Sequence, residues 1–286
     1  NLKDIANEAW NNLTEFVKLQ KSEDQNHFEK KYEGYLALHQ KDDLKAYYIF
    51  KELSTTSREL SIDPDVNFYL DVAENRIREK YFFVDETFEQ ESFEYANNIY
   101  FAYDYKDGSK DIVYFKGVTT VEETGNSIQY LRDLSIVTIS PSGEIYKTMN
   151  VPYAKVLPVS TDVLNETTKQ LFEIDENTKS IPYIMLCSIG RTDPNTKIKP
   201  TYTYSKDAPA TYSDYIILPI SFDDFEMLEN NTMNPSAISL IKLIKLITKA
   251  EEYGFSQSVF LQVFINRILF PLWISIIFIF AATFAW

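Results

Sequence analysis

The last nineteen residues, Ile268 to Trp286 (ILFPLWISIIFIFAATFAW), carry no charged side chain. As a helix they would span about 28 Å, nearly the thickness of a bilayer's hydrocarbon core at about 30 Å. Few soluble chains bury an uncharged run of this length, and its C-terminal position excludes a cleaved signal peptide. A transmembrane helix over 268–286 is expected. The chain opens on Asn1 and closes on an apolar Trp286, which predicts a fragment of a larger membrane protein.

Charge is distributed to match. Of a formal −14, the stretch from Ser236 contributes +2, four cations against two glutamates, which leaves −16 upstream. An acidic body thus joins a mildly basic, apolar end. Nucleic acid is excluded as a partner, because phosphate binding needs clustered Lys and Arg. Cys187 is the one cysteine, so neither an internal disulfide nor a cysteine metal cluster can form. Beside Met185 and Leu186 it reads as a small buried hydrophobe.

Residues 1–80 read as helical. Apolar positions recur at Ile5, Ala9, Leu13, Phe16 and Val17, then at Tyr35, Leu38, Tyr48 and Leu53. Gly34 to Leu53 resembles a single tetratricopeptide repeat, with the small Gly34, a turn at Asp42 and Asp43, and Ala46 and Phe50 four apart; Asp63-Pro64 resembles the turn between repeats. A TPR-like insertion is expected here, as a docking surface or as plain scaffold. His27 and His39 have no metal partners at ligand spacing.

From Tyr81 to residue 233 the pattern changes to short aromatic and β-branched runs, among them NIYFAYDY, DIVYFKGV, SIQYL, LSIVTIS, EIYKTM, YAKVLPV, SIPYIML, PTYTYS and YIILPISF. Turn signals at Asp107-Gly108, Thr124-Gly125-Asn126 and Pro141-Ser142-Gly143 separate them. One short helical stretch is expected around Asp162 to Phe172. The class is α+β, with an antiparallel jelly roll or open β-roll. Ile99, Phe101 and Tyr103 share one strand face, and Ile128 and Tyr130 share another, by the two-residue period. These five are the candidate apolar lining of the roll. Glu122-Glu123 and Asp223-Asp224 read as solvated charges, since adjacent carboxylates without a cleft make no catalytic pair. No Gly-rich phosphate loop is present; no catalytic residue, metal or cofactor is assigned.

Residues 234–267 join the sheet to the apolar run. Asn234 as N-cap and Pro235 at the first helical position would open a helix that Gly254 closes. Leu240, Leu243, Ile244 and Ile247 form one face; Lys242, Lys245 and Lys249 form another, solvated or directed at lipid phosphate. A second helix from Ser256 runs through Arg267, a membrane-interface anchor, into the span, where Pro271 should kink it.

This junction, ISLIKLIKLITKAEEYGFSQSVFLQVFINRILFPLWISIIFIF (Ile238 to Phe280), resembles the LptF/LptG permease family, inner-membrane subunits of the lipopolysaccharide exporter. The amphipathic helix ends in Gly254, the next segment in Arg267, and Pro271-Leu272 follows at the family's spacing. LSIVTISPSGEIYKTMNVPYAKVL (Leu134 to Leu157) is similar to the family's strand, Gly turn and strand, with Gly143 and Ala154 in place. Together they place the sheet domain and the membrane junction, about two thirds of the chain, in the resemblance; residues 1–80 lie outside the family pattern. The resemblance implies a six-span permease in a bacterial inner membrane, with a periplasmic jelly roll between its third and fourth spans. It further implies lipopolysaccharide or another glycolipid as cargo, a second permease subunit, a cytoplasmic ATPase dimer that hydrolyses the ATP, and a periplasmic bridge protein with a similar β-roll. Two rivals stay open from the residues alone. One is a membrane-tethered interaction scaffold with a TPR-like docking region; the other is a tethered carbohydrate-active enzyme.

Overall fold

The structure is a computed structural model that describes residues 2–88, 98–123, 126–171, 174, 178–205, 210–233 and 239–285. It is a mixed α+β chain that divides into two compact units, residues 1–82 with 189–196, and residues 83–188 with 197–286.

The first unit is helical: α1 (Leu2–His39), α2 (Asp43–Thr56), α3 (Arg58–Ser61) and α4 (Pro64–Arg78). Its starts follow from capping. The Asp42 side chain accepts from the Lys45 amide at the head of α2, and Asp63 accepts from Asp65 and Val66 at the head of α4, where Pro64 supplies a pre-set first turn. Ala46, Tyr47, Phe50 and Leu53 of α2 pack with Val66, Ala73 and Ile77 of α4, all buried. Gly34 lets α1 and α2 approach closely, since a Cβ there would stand 2.8 Å from the Phe50 ring. Residues 189–196 complete the unit, although no local pattern sets them apart from the sheet region: the Tyr47 and Tyr48 hydroxyls donate to the Arg191 and Gly190 carbonyls at 3.0 and 2.7 Å. Toward its N-terminus α1 leaves Trp10, Leu13, Val17 and Phe28 exposed.

Three two-residue strands, β1 (Phe82–Phe83), β8 (Ser188–Ile189) and β9 (Lys197–Ile198), mark where the chain passes from one unit to the other. The second unit then holds a short helix, α5 (Asp85–Phe88), and an eight-stranded antiparallel sheet. Its strands are β2 (Ile99–Asp104), β3 (Lys110–Phe115), β4 (Gly117–Glu123), β5 (Asn126–Ile139), β6 (Ile145–Ser160), β7 (Ser180–Met185), β10 (Thr201–Tyr204) and β11 (Tyr215–Ile217). The order is β11-β7-β6-β5-β3-β2, with β4 continuing β3 along one edge of β5 and β10 pairing with β6. The short helix expected near Asp162 is a 3-10 turn over Thr161–Val163 followed by α6 (Glu166–Leu171). Gly108 and Gly143 take φ of 83° and 86° in their turns, conformations costly for any residue with a Cβ. The turn expected at Thr124-Gly125 lies outside the described residues.

The paired runs SIQYL with LSIVTIS, and EIYKTM with YAKVLPV, are not four strands but two long ones. Core residues alternate by two along each segment, then step by three at one shared level: Phe115 to Val118, Leu131 to Leu134, and Val151 to Ala154. These steps are in register, Leu131 opposite Ala154 and Leu134 opposite Val151. Asp133, at φ 52°, supplies the irregular residue on β5, and Pro152, with no amide to give to a ladder, sits at the same level of β6. The ladder keeps one register through this level, with Arg132 opposite Tyr153 and Leu134 opposite Val151, so no residue is inserted. The step exchanges the two faces of neighbouring strands together.

α7 (Phe222–Met233) is a helix where the sequence pattern predicts the end of the sheet region. It covers the core face of the sheet, where Phe225 meets the rings of Phe101 and Phe115 at 6.1 and 6.0 Å. α8 (Leu240–Lys249) follows, capped by Ser239, and then α9 (Gln257–Ala285). The expected cap at Asn234-Pro235 lies outside the described residues.

Candidate functional site

The five residues expected to form an apolar lining are all buried, but the structure does not bring them onto one surface. Ile99, Phe101 and Tyr103 belong to the main core with Phe225 and Tyr253. Tyr130 pairs with Lys155, whereas its neighbour Leu131 pairs with the core residue Ala154. Tyr130 and Ile128 thus face the opposite side of the sheet. Alternation carried back from Leu134 and Ile136 would put them on the core side; the step at Asp133 reverses that. On their own side the Tyr130 hydroxyl and the Lys155 amine both donate to Glu86 of α5, at 2.6 and 2.8 Å, and the amine lies 5.3 Å from the Tyr130 ring centroid.

The lysine row of α8 is also divided. The Asp224 side chain is 2 % exposed, and it receives Lys245 Nζ at 2.8 Å, Lys249 Nζ at 2.6 Å and the Tyr253 hydroxyl at 3.0 Å. Burial alone would push this carboxyl up; the two amines outweigh it and hold it at about 2. Asp224 is thus no solvated charge, and Lys245 and Lys249 are not free for lipid phosphate: they fasten α8 to α7. Lys242 points to solvent. Below this clamp Leu243, Leu246 and Ala250 pack against Met227 of α7 and Phe260 of α9. A groove of about 730 Å³ opens beside it, lined by Tyr105, Lys106, Ser180, Ser221, Asp223 and Lys249 among others. Behind the groove the Tyr103 and Tyr105 hydroxyls both donate to the buried Asp111, at 2.9 and 3.0 Å, and burial raises the pKa of both phenols.

The turn from α8 to α9 is fixed to the sheet. Gly254 takes φ 77°, with Ala102 Cβ 3.3 Å from where its own Cβ would stand, and the Ala102 amide donates to the Tyr253 carbonyl at 3.1 Å. α9 then runs 29 residues, about 43 Å, unbroken through Arg267 and Pro271. Ser275 Oγ donates to the Pro271 carbonyl at 2.9 Å. The helix is long and apolar enough to cross a membrane, and none of its most apolar window is buried by protein. Trp273, Ile277, Phe278 and Phe280 are each at least 60 % exposed.

Cys187 is buried, and its thiol donates to Asp214 at 3.2 Å. Burial, reinforced by that carboxylate, raises its pKa to about 12, so it stays a thiol at neutral pH. Among the described residues no group of three or more His, Cys, Asp or Glu is placed to hold a metal ion. No protein-family model, curated protein or solved structure matches the chain.

Proposed function

We propose that this chain is part of a permease subunit of an ABC-type lipid exporter of the LptF/LptG kind, whose β-roll passes lipopolysaccharide or a related glycolipid from the inner membrane toward a periplasmic bridge. One observation carries the reading: an apolar helix of membrane length, bare of protein contacts along its most apolar stretch, issues from an aromatic-rich antiparallel sheet through a short clamped helix. Acyl chains leaving a bilayer need continuous apolar cover, because exposing them costs about 0.8 kcal/mol per methylene. The sheet face bearing Ile99, Phe101 and Tyr103 offers that cover once α7 moves aside, since Phe225 fills it here. In this scheme the sheet, an open member of the jelly-roll class, lies in the periplasm. A second permease subunit and a cytoplasmic ATPase dimer drive the step, and this chain hydrolyses nothing.

The test is a photo-crosslinking residue at Phe101 in the complete transporter, supplied with lipid and ATP. ATP-dependent capture of glycolipid supports the reading. Absence of capture, with robust capture at a control position in the bridge protein, removes it.

A second reading has its own observation. In the helical unit the close approach of Gly34 to Phe50, with Ala46 buried beside it, supports a tetratricopeptide-like reading of the hairpin. A groove of about 610 Å³ runs along α2, lined by Leu44, Tyr48, Ile49, Thr55, Thr192 and Pro194 among others. A membrane-tethered scaffold would use that groove for a protein segment. Ile49→Asp would then abolish partner recovery and leave lipid movement intact.

A further inference from the structure

α8 carries one broad apolar arc, and only part of it is covered by protein. Leu243, Leu246 and Ala250 are fully buried against α7 and α9. At 100° per residue, Leu240 and Ile244 continue that buried face around the helix and Ile241 lies opposite it, and they are 45, 83 and 49 % exposed. Three large aliphatic side chains on a ten-residue helix cost solubility unless something covers them. Lys245 and Lys249 are taken up by Asp224, so Lys242 is the lysine of α8 outside the clamp, and α8 has no acidic residue of its own, although the chain as a whole carries −14. An exposed apolar strip on a helix with one cationic side and no carboxylate, leading directly into α9, suits a boundary that is apolar inside and polar outside.

The first turns of α9 point the same way. Val259, Leu261 and Ile265 precede Arg267, yet they are 53, 42 and 42 % exposed. Apolar surface that wants cover therefore begins before the uncharged run. Phe260, which α8 packs against, lies seven residues ahead of Arg267, about 10 Å along the helix. That is close to the depth of one headgroup layer, about 5–8 Å of the difference between total and hydrocarbon thickness, plus the reach of an arginine that extends back toward water.

We infer that α8 is an interfacial helix seated in the headgroup layer of a phospholipid bilayer, with Leu240, Ile241 and Ile244 dipping toward the acyl chains. The clamp on Asp224 then holds the sheet at the membrane surface, and Arg267 lies at the acyl boundary rather than above it. The inference rests on α9 crossing the bilayer, and its test separates the two.

A nitroxide is placed at Ile241→Cys, at Ile277→Cys and at Ser142→Cys, each in a Cys187→Ala background. The full chain is reconstituted in liposomes of phosphatidylethanolamine and phosphatidylglycerol. Collisions with oxygen, which concentrates in lipid, and with a water-soluble nickel chelate are compared by electron paramagnetic resonance. Position 241 should show several-fold less nickel access than position 142 and more oxygen access, at a depth shallower than position 277. Nickel access at 241 equal to that at 142, with 277 still deep in lipid, overturns the inference and leaves the span standing. Protection of 241 from both reagents means that protein, not lipid, covers the face, and overturns it too. Aqueous exposure at 277 removes the span and the inference together.

Discussion

α8 and α9 are neighbours in sequence and in space, and both are rich in large apolar side chains, yet they handle apolar surface in opposite ways. α8 sorts it: part of its apolar arc is packed, part is bare, and Lys245 and Lys249 on the polar side reach a buried carboxylate. α9 does not sort it at all, being apolar on every side from Ile268 onward and uncovered on every side. A helix apolar all round needs a solvent that is apolar all round, whereas one with a narrow polar flank needs a boundary. Composition alone does not separate these roles; the placement of three lysines and one aspartate does.

The largest effect that would break this contrast is at the centre of α9. Ile277→Arg should disfavour insertion by about 3 kcal/mol, read as loss of the chain from the membrane fraction in a glycosylation-mapped insertion assay, while Ile241→Arg should leave insertion nearly unchanged.

Next comes the clamp. The Asp224 carboxyl sits at about 2, below its ordinary value of 3.8. A depressed folded pKa contributes stability that is present above the ordinary value and is lost as pH falls through the folded one. The gap corresponds to about 2 kcal/mol. Thermal melts of the detergent-solubilised chain should therefore fall in Tm between pH 4 and 2, and Asp224→Asn should lower Tm at neutral pH and flatten that acid dependence.

A smaller effect is expected at the turn that separates the two helices. Gly254→Ala forces a Cβ into a left-handed residue and against Ala102, at a cost of about 1–2 kcal/mol, measurable in the same melts. Smallest is Ser239→Ala, which removes the cap on the Lys242 amide and should cost about 1 kcal/mol, seen as local loss of amide protection confined to the first turn of α8.

Much of this organisation can be read from the residues. The apolar run, the Gly254 turn, the helical character of residues 1–80 and the antiparallel strands are all local signals, each written in a few consecutive side chains. The features that escape a sequence reading are those set by distant partners. α7 reads as a poor helix, with two aspartates near its start and Asn230-Asn231 in its body; it is held by Phe222, Phe225 and Leu228 packing into the core of the sheet. Lys245 and Lys249 have the spacing of any solvated face, and nothing near them announces a carboxylate about twenty residues upstream. The exchange of faces is half legible. Asp133 and Pro152 interrupt their strands in the sequence and read as strand ends, because a break and a change of face look alike until the partner strand is known. That same ambiguity hides which side of the sheet Ile128 and Tyr130 face.

The two tyrosines of α2 that reach Arg191 and Gly190 have a consequence for biosynthesis. Their acceptors are made more than a hundred residues later, so a ribosome must translate most of the β-strands before the helical unit can close. Until then Tyr47 and Tyr48 emerge from the exit tunnel without their carbonyls, and the nascent helices are the segment with most to gain from a chaperone.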